Sequence, residues 1–118
     1  MKRRARGRIL RIYVGESDTW QGEPLYHALV MAVRREGGAG ATVYRGIEGF
    51  GAHSTVHTAR VLRLSEDLPV VVEVVDSAER IERLARILEP MVSEGLMVIV
   101  EDVQTITFSR GGPEPTAG

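Results

Sequence analysis

Residues 69 to 75 read Pro-Val-Val-Val-Glu-Val-Val, and no other stretch limits the possible folds so sharply. β-branched side chains are stiff about χ1 and suit a pleated surface better than a helix. Successive strand residues point to opposite faces, so Val70, Val72 and Val74 face one way and Val71 and Val75 the other. A strand that is apolar on both sides needs a cover on both sides, either from its own chain or from a partner chain.

The elements around this run follow from periodicity and punctuation. Arg8 to Val14 alternates and is rich in β-formers, which predicts a strand, and Gly15-Glu16-Ser17-Asp18 breaks it. Pro24 suits the first turn of a helix whose apolar face is Leu25, Ala28, Leu29, Ala32 and Val33. Gly37-Gly38 is expected to stop that helix as a left-handed cap. Ala41 to Arg45 predicts the next strand, and Arg60 to Leu64 alternates as a short ribbon. Asp76 with Glu79 resembles a capping box opening a second helix with Ile81, Leu84, Leu88 and Met91 on one side. Pro90 weakens its last turn and Gly95 ends it. Leu96 to Val100 is the fourth principal strand, interrupted at Glu101-Asp102 and resumed from Val103 to Phe108.

The order strand, helix, strand, strand, helix, strand is that of an α+β, ferredoxin-like βαββαβ plait. It places two helices on one face of a four-stranded antiparallel sheet, and right-handed crossovers leave few other windings. The other face then carries apolar surface with no helix over it. Self-association into a closed ring is the expected cover.

The chain divides into a basic arm over 1–7, a domain over 8–108 and a Gly/Pro tail over 109–118. Lys2, Arg3, Arg4, Arg6, Arg8 and Arg11 are six of the 15 basic residues, leaving nine against 16 acidic residues elsewhere. Such an arm can attract phosphate or anionic lipid, or it can be a frayed start that aids solubility. A net charge of −1 argues against general nucleic-acid binding. With no cysteine, disulfides, thiolate zinc sites and thiol nucleophiles are excluded. No apolar run reaches the roughly 20 residues of a membrane helix and no signal-peptide core is evident, so a cytoplasmic protein is expected.

The densest cluster of reactive and flexible residues runs from Tyr44 through Arg45, Gly46, Glu48, Gly49, Phe50 and Gly51 to His53, His57 and Arg60. Glycines permit positive φ and close backbone approach, so N–H groups can converge on an anion, with Arg45 and Arg60 supplying charge-assisted bonds. Neither a Walker A nor a Rossmann pattern is present, and a mobile surface loop is the plain alternative. His53 and His57 with Glu48 offer a metal reading, although four-residue spacing serves metal best on a helix, which Gly51, Thr55 and Val56 disfavour. His57 as a general base gives a third reading, a small nucleotide-processing enzyme. No serine elbow or HExxH motif supports catalysis, so the chain is read as a non-enzyme. Trp20, with Ser17 and Asp18 nearby, can stack on a base or simply cover the core beside the helix start. RNA readout needs paired aromatics on the central strands, and the valine run has none.

Several blocks in order resemble one family: Leu10–Asp18, Trp20, Gly22, Pro24–Tyr26, Gly40–Val43, Arg45–Gly51, His57–Arg60, Leu64–Val70 and Glu101–Val103. They are similar to the domain of unknown function one-ninety, grouped with PII-like signalling proteins. The resemblance covers Arg8 to Phe108. It implies a trimer of ferredoxin-like protomers, a long loop over 46–59 that contacts a partner protein, and an adenine nucleotide (AMP, ADP or ATP) in clefts between subunits, with no metal required. Carried onto this chain, the nucleotide-binding candidates are Ser17, Trp20, Arg45, Gly46, Glu48, Gly49, Phe50, Gly51, His57 and Arg60. A membrane transporter or channel is an implied partner. Val92-Ser93-Glu94-Gly95-Leu96 departs from the basic, glycine-rich phosphate loop of PII proteins, so phosphates must be held elsewhere.

Overall fold

The computed structural model describes residues 1–50 and 68–110. Strand β1 (Lys2–Gly15) is followed by a two-residue pair, β2 (Thr19–Trp20) and β3 (Glu23–Pro24), then helix α1 (Leu25–Arg35) and strand β4 (Thr42–Arg45). Strand β5 (Pro69–Asp76), helix α2 (Ala78–Leu88), a 3₁₀ turn (Glu89–Met91) and strand β6 (Leu96–Phe108) complete the order. The main sheet runs β4-β5-β1-β6 with every neighbouring pair antiparallel. This is the expected plait, with the valine strand and β1 in the centre.

One face of the sheet meets both helices. Leu10, Ile12 and Val14 of β1 and Val70, Val72 and Val74 of β5 form one buried cluster with Leu25, Leu29 and Val33 of α1 and Ile81, Leu84 and Leu88 of α2. Each such side chain contributes about 1.5–3 kcal/mol on leaving water. The helix ends are closed by local chemistry. At the end of α1, Gly37 takes φ +84° and donates to the Arg34 carbonyl at 3.2 Å, while Gly38 donates to the Val33 carbonyl at 2.9 Å. That is the expected left-handed stop.

Helix α2 is capped one residue later than the sequence suggests. Ser77 is the N-cap, its hydroxyl accepting from the Arg80 amide at 3.2 Å, because Asp76 is still in strand opposite Arg8. Asp76 instead accepts from the Ser77 amide at 2.8 Å and the Ala39 amide at 2.9 Å, tying β5 to the connection before β4.

Among the described residues no helix lies on the second face. Register places Ile9, Arg11 and Tyr13 beside Val75, Glu73 and Val71 on one side and beside Val100, Val98 and Leu96 on the other. Tyr13, Tyr44, Val75 and Leu96 are exposed there, Leu96 by 58%. Val71, flanked by Tyr13 and Tyr44, is already buried within the single chain. An ion pair unforeseen in the sequence crosses this face: Arg11 Nε donates to Glu73 Oε2 at 2.7 Å, and the Tyr44 hydroxyl donates to the same oxygen at 3.4 Å. The hydrogen bond to Glu73, opposed by burial, raises the Arg11 guanidinium above its ordinary value, so its charge is secure near neutral pH.

The N-terminal residues differ from the expected frayed start. Strand β1 begins at Lys2, and Lys2–Gly7 pairs with Val103–Phe108 as a two-stranded ribbon beyond β5. The interruption at Glu101-Asp102 is an extra residue opposite Arg8, with Asp102 at φ +62°, and β6 continues through it. The Met1 carbonyl accepts from the Ser109 amide at 2.9 Å and closes the ribbon's end.

Candidate functional site

At the opposite end of β1, the chain turns through Gly15–Asp18, where the Asp18 carboxylate accepts from the Gly15 amide at 2.9 Å. The Asp18 carbonyl accepts from the Leu25 amide at 2.8 Å, which fixes the start of α1 against the turn. Between them, Gln21 at φ +49° and Gly22 at φ +85° form the tight connection of β2 and β3. Two consecutive positive φ values suit a two-residue hairpin of the primed type.

This end of the sheet also holds the stem of the 46–69 connection. The Gly46 amide donates to the Pro69 carbonyl at 2.7 Å, and the Glu16 amide donates to the Leu68 carbonyl at 2.8 Å. The chain therefore leaves the sheet and returns to it at one place, clamped from both sides. Gly46 and Gly49 lie so close to the Pro69 ring that an added Cβ would stand 2.8 and 3.0 Å from its Cγ. Neither has positive φ. Their lack of a side chain serves the close approach expected of them, made here to the Pro69 ring, without the positive φ that was also expected.

Beside this stem lies an open cleft of about 170 Å³ lined by Glu16, Tyr26, Val43, Tyr44, Arg45 and Val70. The Arg45 Nη2 is paired with Glu16 Oε2 across its mouth. The Arg45 side chain is 60% exposed and the Glu16 side chain 20%, so the cation faces solvent while the carboxylate is set back. A planar guanidinium, a carboxylate that can exchange partners and the Tyr26 side chain suit recognition of a small anionic ligand with a flat ring. The Tyr44 side chain is turned to the other face of the sheet, towards Glu73.

Of the sequence candidates, Arg45 lines the cleft and Gly46, Glu48, Gly49 and Phe50 follow it along the stem. Phe50 is exposed by 75%, as is Ile47 by 95%. Ser17 adjoins Glu16 in the chain and is exposed. Trp20 does not line the cleft and packs partly buried against the core, which is the covering role weighed for it. Gly51, His57 and Arg60, with His53 of the metal reading, lie outside the described residues. Among the described residues no three His, Cys, Asp or Glu side chains gather as metal ligands. Glu16 and Tyr26 were not singled out from the sequence, although both fall within the blocks that carried the family resemblance. Only folding brings the end of β1, the first turn of α1 and the end of β4 together.

Comparison with known proteins agrees with this fold. The model of the family DUF190, described as Uncharacterized ACR, matches residues 7–105. A UPF0166 protein of Methanocaldococcus jannaschii is 40% identical over 97 residues, covering 81% of this chain and 89% of that protein. A UPF0166 protein of Aquifex aeolicus is 32% identical over 99 residues, covering 84% and 92%. Among solved structures, CPII of Thiomonas intermedia bound to ADP, AMP and acetate superposes with TM-score 0.61 at 16% identity, covering 87% of this chain and 91% of that one. A PII-like signalling protein of Thermus thermophilus superposes with TM-score 0.58 at 19% identity, covering 86% and 91%. At these identities the structural likeness establishes a PII-like fold.

Proposed function

The chain belongs to the DUF190 family, and from that premise we propose that it is a PII-like regulatory protein that binds an adenine nucleotide and signals through its 46–59 loop. The observation that carries this reading is the cleft with Arg45 and Glu16 at the stem of that loop. The PII-fold neighbour CPII was solved with ADP and AMP, which supports an adenine nucleotide as the ligand class.

In this reading a nucleotide phosphate competes with Glu16 for the Arg45 guanidinium, and Tyr26 offers a flat surface beside it. Exchange of Arg45 from carboxylate to phosphate releases a contact beside the Leu68 clamp, which couples occupancy to the loop. Ligand-driven ordering or release of a surface segment is an established switching device. Gly46, Glu48, Gly49, Phe50, Gly51, His57 and Arg60 complete the proposed ligand contacts from the loop, with Ser17 from the β1–α1 connection. The protein acts as a binding module, its partner a protein such as a membrane transporter or channel. The helix-free sheet face closes a homotrimer, and the cleft lies near a subunit seam.

Calorimetric titration of the chain with AMP, ADP and ATP tests the reading. Saturable heat with at least one of them is expected at protein concentrations of about 100 μM, and no heat with any of the three would remove it.

A further inference from the structure

The ribbon formed by Lys2–Gly7 and Val103–Phe108 lies at the far end of β1 from the cleft and plays no part in the proposed nucleotide binding. At about 3.3 Å per residue it is about 20 Å long. Cross-strand partners share a face, so Lys2, Arg4 and Arg6 stand with Phe108, Ile106 and Gln104 on one side. Gly7, Ala5 and Arg3 stand with Val103, Thr105 and Thr107 on the other, continuous with Ile9 and Val100 of the helix-free face.

The two sides differ in burial. Gly7 is buried, and Ala5, Val103 and Thr105 are half-buried. On the first side Lys2 and Arg4 are exposed, the Arg6 side chain is 82% exposed, Ile106 is 40% exposed and Phe108 is 74% exposed. Asp102 pairs with Arg6 and is the one acidic residue on the ribbon's two strands beyond Arg8 and Glu101. The family match begins at residue 7 and ends at 105, so Lys2, Arg4, Arg6, Ile106 and Phe108 all lie outside it.

We propose that this face of the ribbon docks on an anionic lipid surface. A short, twisted two-stranded ribbon offers cations along one strand and large apolar side chains along the other. A headgroup layer takes both, with guanidinium and ammonium groups at the phosphates and Phe108 and Ile106 at the acyl boundary. A polyanion without an apolar layer would use the charge and leave Phe108 in water. Cations that merely guard an open strand edge against pairing would need no aromatic beside them.

The test is cosedimentation of the full chain with phosphatidylcholine vesicles carrying about one-third phosphatidylserine, against vesicles of phosphatidylcholine alone. Binding to the anionic vesicles only, weakened by salt, is expected. Each cation at the surface is worth about fivefold, so Lys2→Gln with Arg4→Gln lowers affinity about thirtyfold. Phe108→Ser lowers it about tenfold through lost apolar contact. Circular dichroism checks each variant's fold, and if the double variant does not fold, Arg4→Gln alone is measured for its fivefold loss. Equal binding to both vesicle types, no binding to either, or unchanged affinity in the folded variants overturns the proposal. So does a single-stranded oligonucleotide that binds as tightly and is indifferent to Phe108→Ser, or pelleting without vesicles, which would identify a nucleic acid or a second copy as the occupant.

Discussion

Arg45 and Glu16 hold each other at the mouth of the cleft, and substitutions of the two have opposite expected signs. Losing a charge-assisted bond to phosphate costs about 1.5–3 kcal/mol, so Arg45→Gln should weaken ADP binding about ten- to a hundredfold by calorimetry. Glu16→Gln removes the competitor. The exposed pair is worth at most about 1 kcal/mol, so this variant should bind ADP up to about fivefold more tightly. A Glu16→Gln that binds more weakly would mean the carboxylate contacts the ligand directly. Ser77 gives a residue-scale prediction independent of any ligand. Its hydroxyl caps α2 through the Arg80 amide, so Ser77→Ala should cost about 1 kcal/mol in denaturant unfolding. The sequence pointed to Asp76 for this role because an acidic residue followed by Glu79 fits a cap pattern. Asp76 is kept from it by pairing in β5 and by its bond to Ala39.

The least regular element is β6, whose extra residue at Asp102 lets one strand serve both the sheet and the ribbon. The φ of +62° at Asp102 is tolerated by Asp or Gly and resisted by β-branched side chains. Asp102→Val should therefore be less stable than Asp102→Gly by about 1–2 kcal/mol in thermal or denaturant unfolding, both variants having lost the exposed pair to Arg6. Equal stability would mean that the bulge relaxes to accept the substitution. Both helices were legible because their apolar spacing is regular and their stops are local, as Gly37 and Gly38 demonstrate. The ribbon was not legible. Lys2 to Arg6 has almost no apolar content, and what makes it strand is pairing with residues about a hundred positions away.

For the whole molecule, the helix-free face is the deciding surface. Leu96 and Val75 are exposed on it in a single chain, around a central Arg11–Glu73 pair that is satisfied without a partner. The proposed homotrimer would bury them. Leu96→Glu with Val75→Glu should then yield a folded monomer, measured by light scattering at micromolar concentration beside a trimeric parent. Because both side chains are already exposed, the substitutions leave the core of Leu10, Ile12, Val72 and Leu84 untouched. A parent chain that sizes as a monomer would remove the trimer from the proposed function, and a doubly substituted chain that remains a trimer would place the contact elsewhere.

Periodicity, stop signals and the doubly apolar strand at 69–75 were enough for the sequence to determine a four-stranded plait with two helices on one face. These are short-range properties, set by which residues suit which dihedral angles and which side of an element is apolar. The tertiary structure decided what depends on distant segments meeting. It paired Glu16 with Arg45 across the cleft, set Tyr26 beside them, packed Gly46 and Gly49 on Pro69, and turned the basic N-terminal residues into strand. Such contacts leave little trace in local pattern, because each partner alone is an ordinary polar or glycine residue until the fold brings the other to it.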